Sequence, residues 1–314
     1  MRTFILKRLI GMVGTMLVVA SVIFLVTNLI PGSVGAVMLG QEATAEDIKA
    51  LDHELGLDQP VPKRFLTWIS RLTRGDLGVS LYHGEPVART LISRMEPTVL
   101  LTLLATSIAI AIGLPLGIIA AVNHRSSLDL GALVTSLIGI SIPNFWLGLN
   151  LILLFGLYLN WLPTAGYASV REDPLLTLQH LIMPAIALGF SQAALIARMS
   201  RANLLEVLRT DYVRTAHAKG LSAPRVILKH AMRNAMVPTV SVIGVIVTLS
   251  LGGAVITETV FAIPGVGRLM VESVFRRDFP VIQGLVLMLA AVVALANLFV
   301  DILYAYLNPQ IRYD

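Results

Sequence analysis

Asp211-Tyr212-Val213-Arg214-Thr215-Ala216-His217-Ala218-Lys219-Gly220-Leu221-Ser222-Ala223-Pro224 is a polar stretch between two apolar runs. It reads as a short helix in a basic loop. Asp211 near its start and Lys219 near its end complement the helix dipole, Gly220 supplies a left-handed stop, and Pro224 prevents continuation. From Asp211 to Gly220 such a helix is about 15 Å long, enough to lie in a groove on a soluble partner. Thr215 and Ala216 are small and let another surface come close. On these residues alone, a rigid handle for a partner and a basic loop resting on anionic head groups stand level.

Working outward, the run before this stretch is Leu181 to Ala197 and the run after it Val237 to Ala262. Four more apolar runs complete the set: Leu9 to Ile30, Thr98 to Val122, Leu130 to Leu159 and Val281 to Leu307. Each approaches the roughly 20 residues that about 30 Å of hydrocarbon requires. Leu181 to Ala197 is short and carries Gly189, Ser191 and Gln192, which suit a helix packed inside a bundle better than one facing lipid. With 56% hydrophobic and 14% charged residues among 314, the chain exceeds the apolar content of an aqueous domain. The fold class is all-α integral membrane, with six spans.

Lys and Arg near the span ends set the orientation. Arg2, Lys7, Arg8 and Arg125 fall on one side with Arg198, Arg201, Arg209, Arg214, Lys219, Arg225, Lys229 and Arg233 if both termini are cytoplasmic. Arg268, Arg276 and Arg277 are a mild exception. The net charge of +5 follows from this bias, so no nucleic-acid partner is expected. The run from Leu9 to Ile30 exceeds a signal-peptide core and reads as an uncleaved first helix. The chain then divides into a tail and first helix (1–30), an external cap (31–97), a five-helix core (98–307) with a cytoplasmic coupling loop (198–236), and a cytoplasmic tail (308–314). In the cap, Glu46 to Leu57 and Arg64 to Leu72 read as short amphipathic helices, with turns at 58–62 and 75–78.

Zero cysteines exclude disulfides and thiolate chemistry. The six histidines lack metal-ligand spacing, so no metal is assigned. No Gly-x-x-x-x-Gly-Lys-Ser/Thr run cradles nucleotide phosphates, and no Gly-x-Ser-x-Gly elbow marks a hydrolase. The chain is therefore read as no enzyme, with no cofactor of its own. Asn297 and Asp301, one turn apart, either line a path or gate or make a polar contact with a neighbouring helix; their late position in the span favours the contact. Glu258 either meets a substrate ammonium group or pairs with Arg268, and the two readings are level. Asn144 is expected to satisfy backbone freed by Pro143.

The sequence resembles the inner-membrane permease subunits of ABC importers, and within them the B-type component of the branch handling dipeptides, oligopeptides, glutathione or nickel complexes. The general signature is Glu-Ala-Ala, three residues, Gly, and a Pro eighteen residues later. Here Arg214-Thr215-Ala216, Gly220 and Pro238 stand at those places, so only Ala216, Gly220 and Pro238 agree. The departures fit the peptide branch, which shows Asp-Tyr-Val-Arg-Thr-Ala, Lys-Gly-Leu and His-Ala-x-Arg-Asn-Ala, as at 211–216, 219–221 and 230–235 here. Further similar stretches lie at 54–61, 75–80, 141–146, 258–267, 277–280 and 308–312. The resemblance implies a type I importer architecture in the bacterial inner membrane. It implies a second homologous permease subunit, two ATPase subunits or domains holding ATP and Mg, an external substrate-binding protein, and membrane lipid as surroundings. It also implies that Asp211, Arg214, Thr215, Ala216, Lys219, Gly220 and Leu221 dock the ATPase.

Overall fold

The computed structural model describes residues 2–29, 35, 39, 43–54, 56 and 58–307. The tail 308–314, residues 31–34, 36–38 and 40–42 of the expected cap, Leu55 and Leu57 lie outside the described residues. A backbone without water for partners satisfies itself only in helices or closed barrels. This chain takes helices throughout, and among the described residues the strand-like pairing is a single antiparallel bridge, Val79 with Pro86. In chain order the helices are α1 (Arg2–Leu29), α2 (Ala45–Glu54), α3 (Val61–Leu72), α4 (Val87–Val122) and α5 (Ser127–Ser141). There follow α6 (Asn144–Tyr158), α7 (Pro174–Leu208), α8 (Asp211–Ala218), α9 (Ala223–Val260), α10 (Val266–Phe275) and α11 (Phe279–Leu307). Among the described residues, α1, α4, α7, α9 and α11 are long and apolar enough to cross a membrane, and α5 with α6 makes a sixth span if the bent pair counts as one.

The single span expected over Leu130 to Leu159 is broken by a bend of 94°. Its cause is Pro143: it forces Ile142 into extended backbone (φ −79°, ψ 122°), as the residue before a proline prefers. The helix limits also differ from the limits of the apolar runs. α4 starts at Val87 rather than Thr98, passing through Arg89, Arg94, Glu96 and Pro97. α7 starts behind Asp173, whose carboxylate accepts from the backbone N–H of Leu175 and Leu176, and runs on to Leu208. Polar residues end a hydrophobic run without ending a helix. Consequently the loop expected over 198–236 shrinks to Arg209–Ser222 around α8.

Two compact units divide the described chain, one within Met1–Glu96 and Arg268–Ala294, the other within Pro97–Gly267 and Leu295–Asp314. In the first, Phe24 of α1 packs on Phe65 and Trp68 of α3, with ring centroids 5.2 and 5.4 Å apart. Gln283 donates to Thr27 Oγ1 (2.8 Å). Asp278, buried, accepts from Ser80 Oγ (2.5 Å) and from the backbone N–H of Leu81 (3.1 Å), pinning the turn before α4. Thr44 and Asp47 cap α2 reciprocally, and hydrogen bonds from the Thr44 hydroxyl and N–H hold the Asp47 carboxyl below the usual carboxylate range.

The second unit is built around α7, two-thirds of whose apolar stretch is buried, as its small and polar residues suggest. Its Gly189, Ala193 and Ala197 recur every fourth position and meet a matching series on α4, Ala105, Ala109, Gly113, Gly117 and Ala121. A methyl group added at Gly113 would stand 2.5 Å from the Ala193 carbonyl oxygen, at Gly117 2.5 Å from that of Ala197, and at Gly189 2.6 Å from that of Ala105. The two backbones therefore touch, the small-residue solution to packing where no hydrophobic effect separates helix from lipid.

Candidate functional site

α8 begins after Thr210 and is held by the side it turns inward. Val213 and Ala216 are buried in a cluster with Ala121 of α4, Leu204 of α7 and Val226, Ala231 and Ala235 of α9, which Leu221 partly joins. Val213 and Ala216 lie three residues apart and so share one helical face. Tyr212 accepts at its hydroxyl from Asn234 Nδ2 (2.8 Å), and Asn203 of α7 donates to Thr239 of α9 (3.1 Å). The helix is thus seated on both of its flanking helices.

Its end is a Schellman motif. Gly220 N–H donates to His217 O (2.9 Å) and Leu221 N–H to Ala216 O (3.4 Å), with Gly220 at φ +77°. Pro224 has a different part from the one expected: it sits in the first turn of α9, behind Ser222, and starts the next helix as much as it ends this one. α9 then widens to a π-helical turn over Val226–Ala231.

The outward face carries Asp211, Arg214, Thr215, Lys219 and Gly220, all exposed. Arg214 Nη1 lies 3.3 Å from Asp211 Oδ1, yet the two side chains remain 74% and 96% exposed, so both stay open to a partner. Thr215 returns its hydroxyl to Asp211 O (2.8 Å). Of the expected docking set, Ala216 is buried and Leu221 half-buried. Both help seat the helix on its own chain.

The candidate path residues do not gather with α8. Glu258 is fully buried; it accepts from Thr98 Oγ1 (2.5 Å), which in turn accepts from the Val266 backbone N–H (2.8 Å). Its carbonyl accepts from Ile263 N–H (2.8 Å), and its carboxylate leaves no room for a side chain at Gly265. Glu258 therefore organises the turn from α9 to α10, and in this conformation it offers no surface to a substrate ammonium group. Arg268 donates from Nε to Glu272 Oε1 (2.9 Å). On α11, Asn297 is exposed and Asp301 half-buried. Asn144, expected to serve the backbone, instead accepts from the Ser191 hydroxyl of α7 (3.0 Å). Beside it Gln192 donates to Ser250 of α9 (2.8 Å).

A part-buried ion pair has no local signal in the sequence. Asp129, in the first turn of α5, accepts from Arg201 of α7 through Nε to Oδ1 (2.5 Å) and Nη2 to Oδ2 (2.8 Å). Arg201 counts in the sequence only as a marker of sidedness, and nothing local reveals that it faces a carboxylate seventy-two positions earlier.

Two family descriptions cover the chain: binding-protein-dependent transport system inner membrane component over residues 113–313, and the N-terminal part of such membrane components over residues 1–102. Curated relatives align end to end. A Brucella abortus (strain 2308) protein named for a peptide transport system permease is 40% identical over 314 residues, 100% of each chain. The glutathione transport system permease protein GsiC of Escherichia coli (strain K12) is 42% identical over 313 residues, again 100% of each. Among solved structures, an inward-facing MetNI methionine ABC transporter chain matches with a TM-score of 0.60 at 19% identity, covering 70% of this chain and 97% of its own. That last likeness concerns the fold.

Proposed function

The chain belongs to the family of binding-protein-dependent transport system inner membrane components, and from that premise we propose that it is the permease subunit of an ATP-driven importer of short peptides. The observation that carries the reading is α8, an exposed polar helix clamped by its opposite face to the ends of α4, α7 and α9. A push on such a helix moves the bundle, because its inner face is packed and its end is fixed by a hydrogen-bonded stop. ATP and Mg bind and react in the partner ATPase subunits, and this chain receives the motion.

Two permease subunits, this one and a homologue, enclose the path between them. Two ATPase subunits grip α8 and its counterpart from the cytoplasm, where both termini also lie. An external binding protein delivers cargo to the segment 31–97. Closure of the ATPases draws the handles together, and the helices rock as rigid bodies to alternate access. The 42% identity to a glutathione permease favours glutathione, a short peptide with an unusual linkage, as a second cargo reading.

The test is reconstitution of the complete assembly in vesicles with labelled dipeptide, oligopeptide and glutathione. Uptake is expected only with ATP, both permeases, the ATPases and the binding protein together. Full flux without the ATPases would defeat the importer reading.

A further inference from the structure

We propose that Asp129 and Arg201 form the joint through which movement of α8 and α7 reaches α5; this rests on α8 being the helix that docks the ATPase. The face of α7 that meets α4 runs through Gly189, Ala193 and Ala197 and on through Ser200, which stands against Gly117, to Leu204, which clusters with Ala121, while Arg201 beside that seam reaches α5. Uncharged residues carry the α4–α7 contact along the bundle, and a charged pair makes the α5–α7 contact at its end. With Asp129 5% exposed and Arg201 half-buried, the pair carries part of a desolvation cost that small apolar residues avoid. What the pair adds is register, because a planar two-point contact fixes both position and angle.

The grip is made from two directions. Arg201 holds both carboxylate oxygens of Asp129 from α7. From the α4–α5 connection, the Arg125 backbone N–H donates to Oδ2 (2.9 Å) and His124 Nδ1 lies 3.1 Å from the same oxygen. Arg125 takes φ 65°, a conformation that a non-glycine residue keeps where its surroundings hold it. One carboxylate therefore ties together the end of α4, the start of α5 and α7. Arg201 stands about 10 Å along the helix from Leu208, where α7 ends, with only Arg209 and Thr210 between that end and α8. A displacement of α8 moves α4, α7 and α9 through their direct packing on Val213 and Ala216, and the joint carries α5 with them without slip.

The test uses the complete assembly in vesicles and reads cargo taken up per ATP hydrolysed. Asp129→Asn is expected to lower that ratio about tenfold, and Arg201→Lys, which keeps the charge but loses the second contact, about threefold. The double variant is expected to be no worse than Asp129→Asn, since both changes break one contact. Should Asp129→Asn fail to assemble, Arg201→Lys carries the same readout. A ratio unchanged in assembled variants, or effects that multiply in the double variant, would overturn the joint. In otherwise unaltered protein, Lys219→Cys is tested for crosslinking to the ATPase. Its failure there defeats the docking reading and the joint with it, whereas crosslinking with an unchanged ratio defeats the joint alone.

Discussion

At Gly220, φ of +77° meets open space, because nothing lies within 4 Å of where a Cβ would be. The cost of any other residue there is therefore backbone strain and not collision, about 1–2 kcal/mol for an L-residue in left-handed backbone. That much shifts the population of correctly ended α8 by about 5- to 30-fold. Gly220→Val is accordingly expected to depress ATP-driven uptake and binding-protein stimulation of the ATPase while membrane insertion is unchanged. Gly220→Asn is expected to be milder, since asparagine tolerates this conformation. Uptake at the original rate in Gly220→Val would remove α8 from the path of force. This stop was legible in the sequence because a glycine directly after a short polar helix is the residue that enters left-handed backbone without steric cost. The inward turn of Ala216 was less so. Its signal was Val213, a buried β-branched residue three positions earlier on the same face, which marks the side that docks on the chain itself. Glu258 shows the opposite case: its carboxylate and the turn at Val266 are both tied to Thr98, 160 positions before Glu258, and no local pattern announces it.

Between elements, the α4–α7 seam is the contact that position-by-position hydropathy misses and spacing reveals. Ala105, Ala109, Gly113, Gly117 and Ala121 repeat at four, the signature of helices that approach backbone to backbone, although the run scores simply as apolar. Replacing Gly113 with leucine drives a side chain against the Ala193 carbonyl, a rigid neighbour that cannot turn away. The expected cost is about 1–3 kcal/mol or more, read as a lowered melting temperature of the purified protein. Gly131→Ala on α5 is the control, as nothing lies within 4 Å of its Cβ position. It is expected to leave stability unchanged or slightly raised, because alanine is the better helix former. Equal melting temperatures for Gly113→Leu and the original chain would mean that the seam is loose. The bend after α5 was half legible. Ser141-Ile142-Pro143-Asn144 carries the chemistry of a boundary turn, yet the apolar residues on either side read as one span, since hydropathy does not register a proline's effect on the residue before it.

For the whole molecule, linear reading divides the chain at changes of composition, and so separates 31–97 from everything after it. The structure instead groups Met1–Glu96 with Arg268–Ala294. Contacts such as Gln283 with Thr27 and Asp278 with Ser80 join residues 256 and 198 positions apart, a closure that composition cannot express. What composition does carry is sidedness, and it makes a claim that the absence of cysteine renders directly measurable. Any cysteine introduced is the sole thiol of this chain, so none of its own has to be removed before labelling of the purified chain is read. Lys63 on α3 and Lys219 after α8 are both exposed, and the proposed orientation puts them on opposite faces of the membrane. An impermeant maleimide added to intact spheroplasts is expected to label Lys63→Cys and to reach Lys219→Cys only after permeabilisation. Protection of Lys219→Cys is expected to increase further when the ATPase subunits are present, because a docked partner covers the same face that the lipid leaves open. Labelling of Lys219→Cys from outside would invert the molecule and place the handle beyond the reach of any cytoplasmic ATPase, whereas labelling of both positions only after permeabilisation would leave α8 correctly sited and withdraw the segment around α3 from the binding protein.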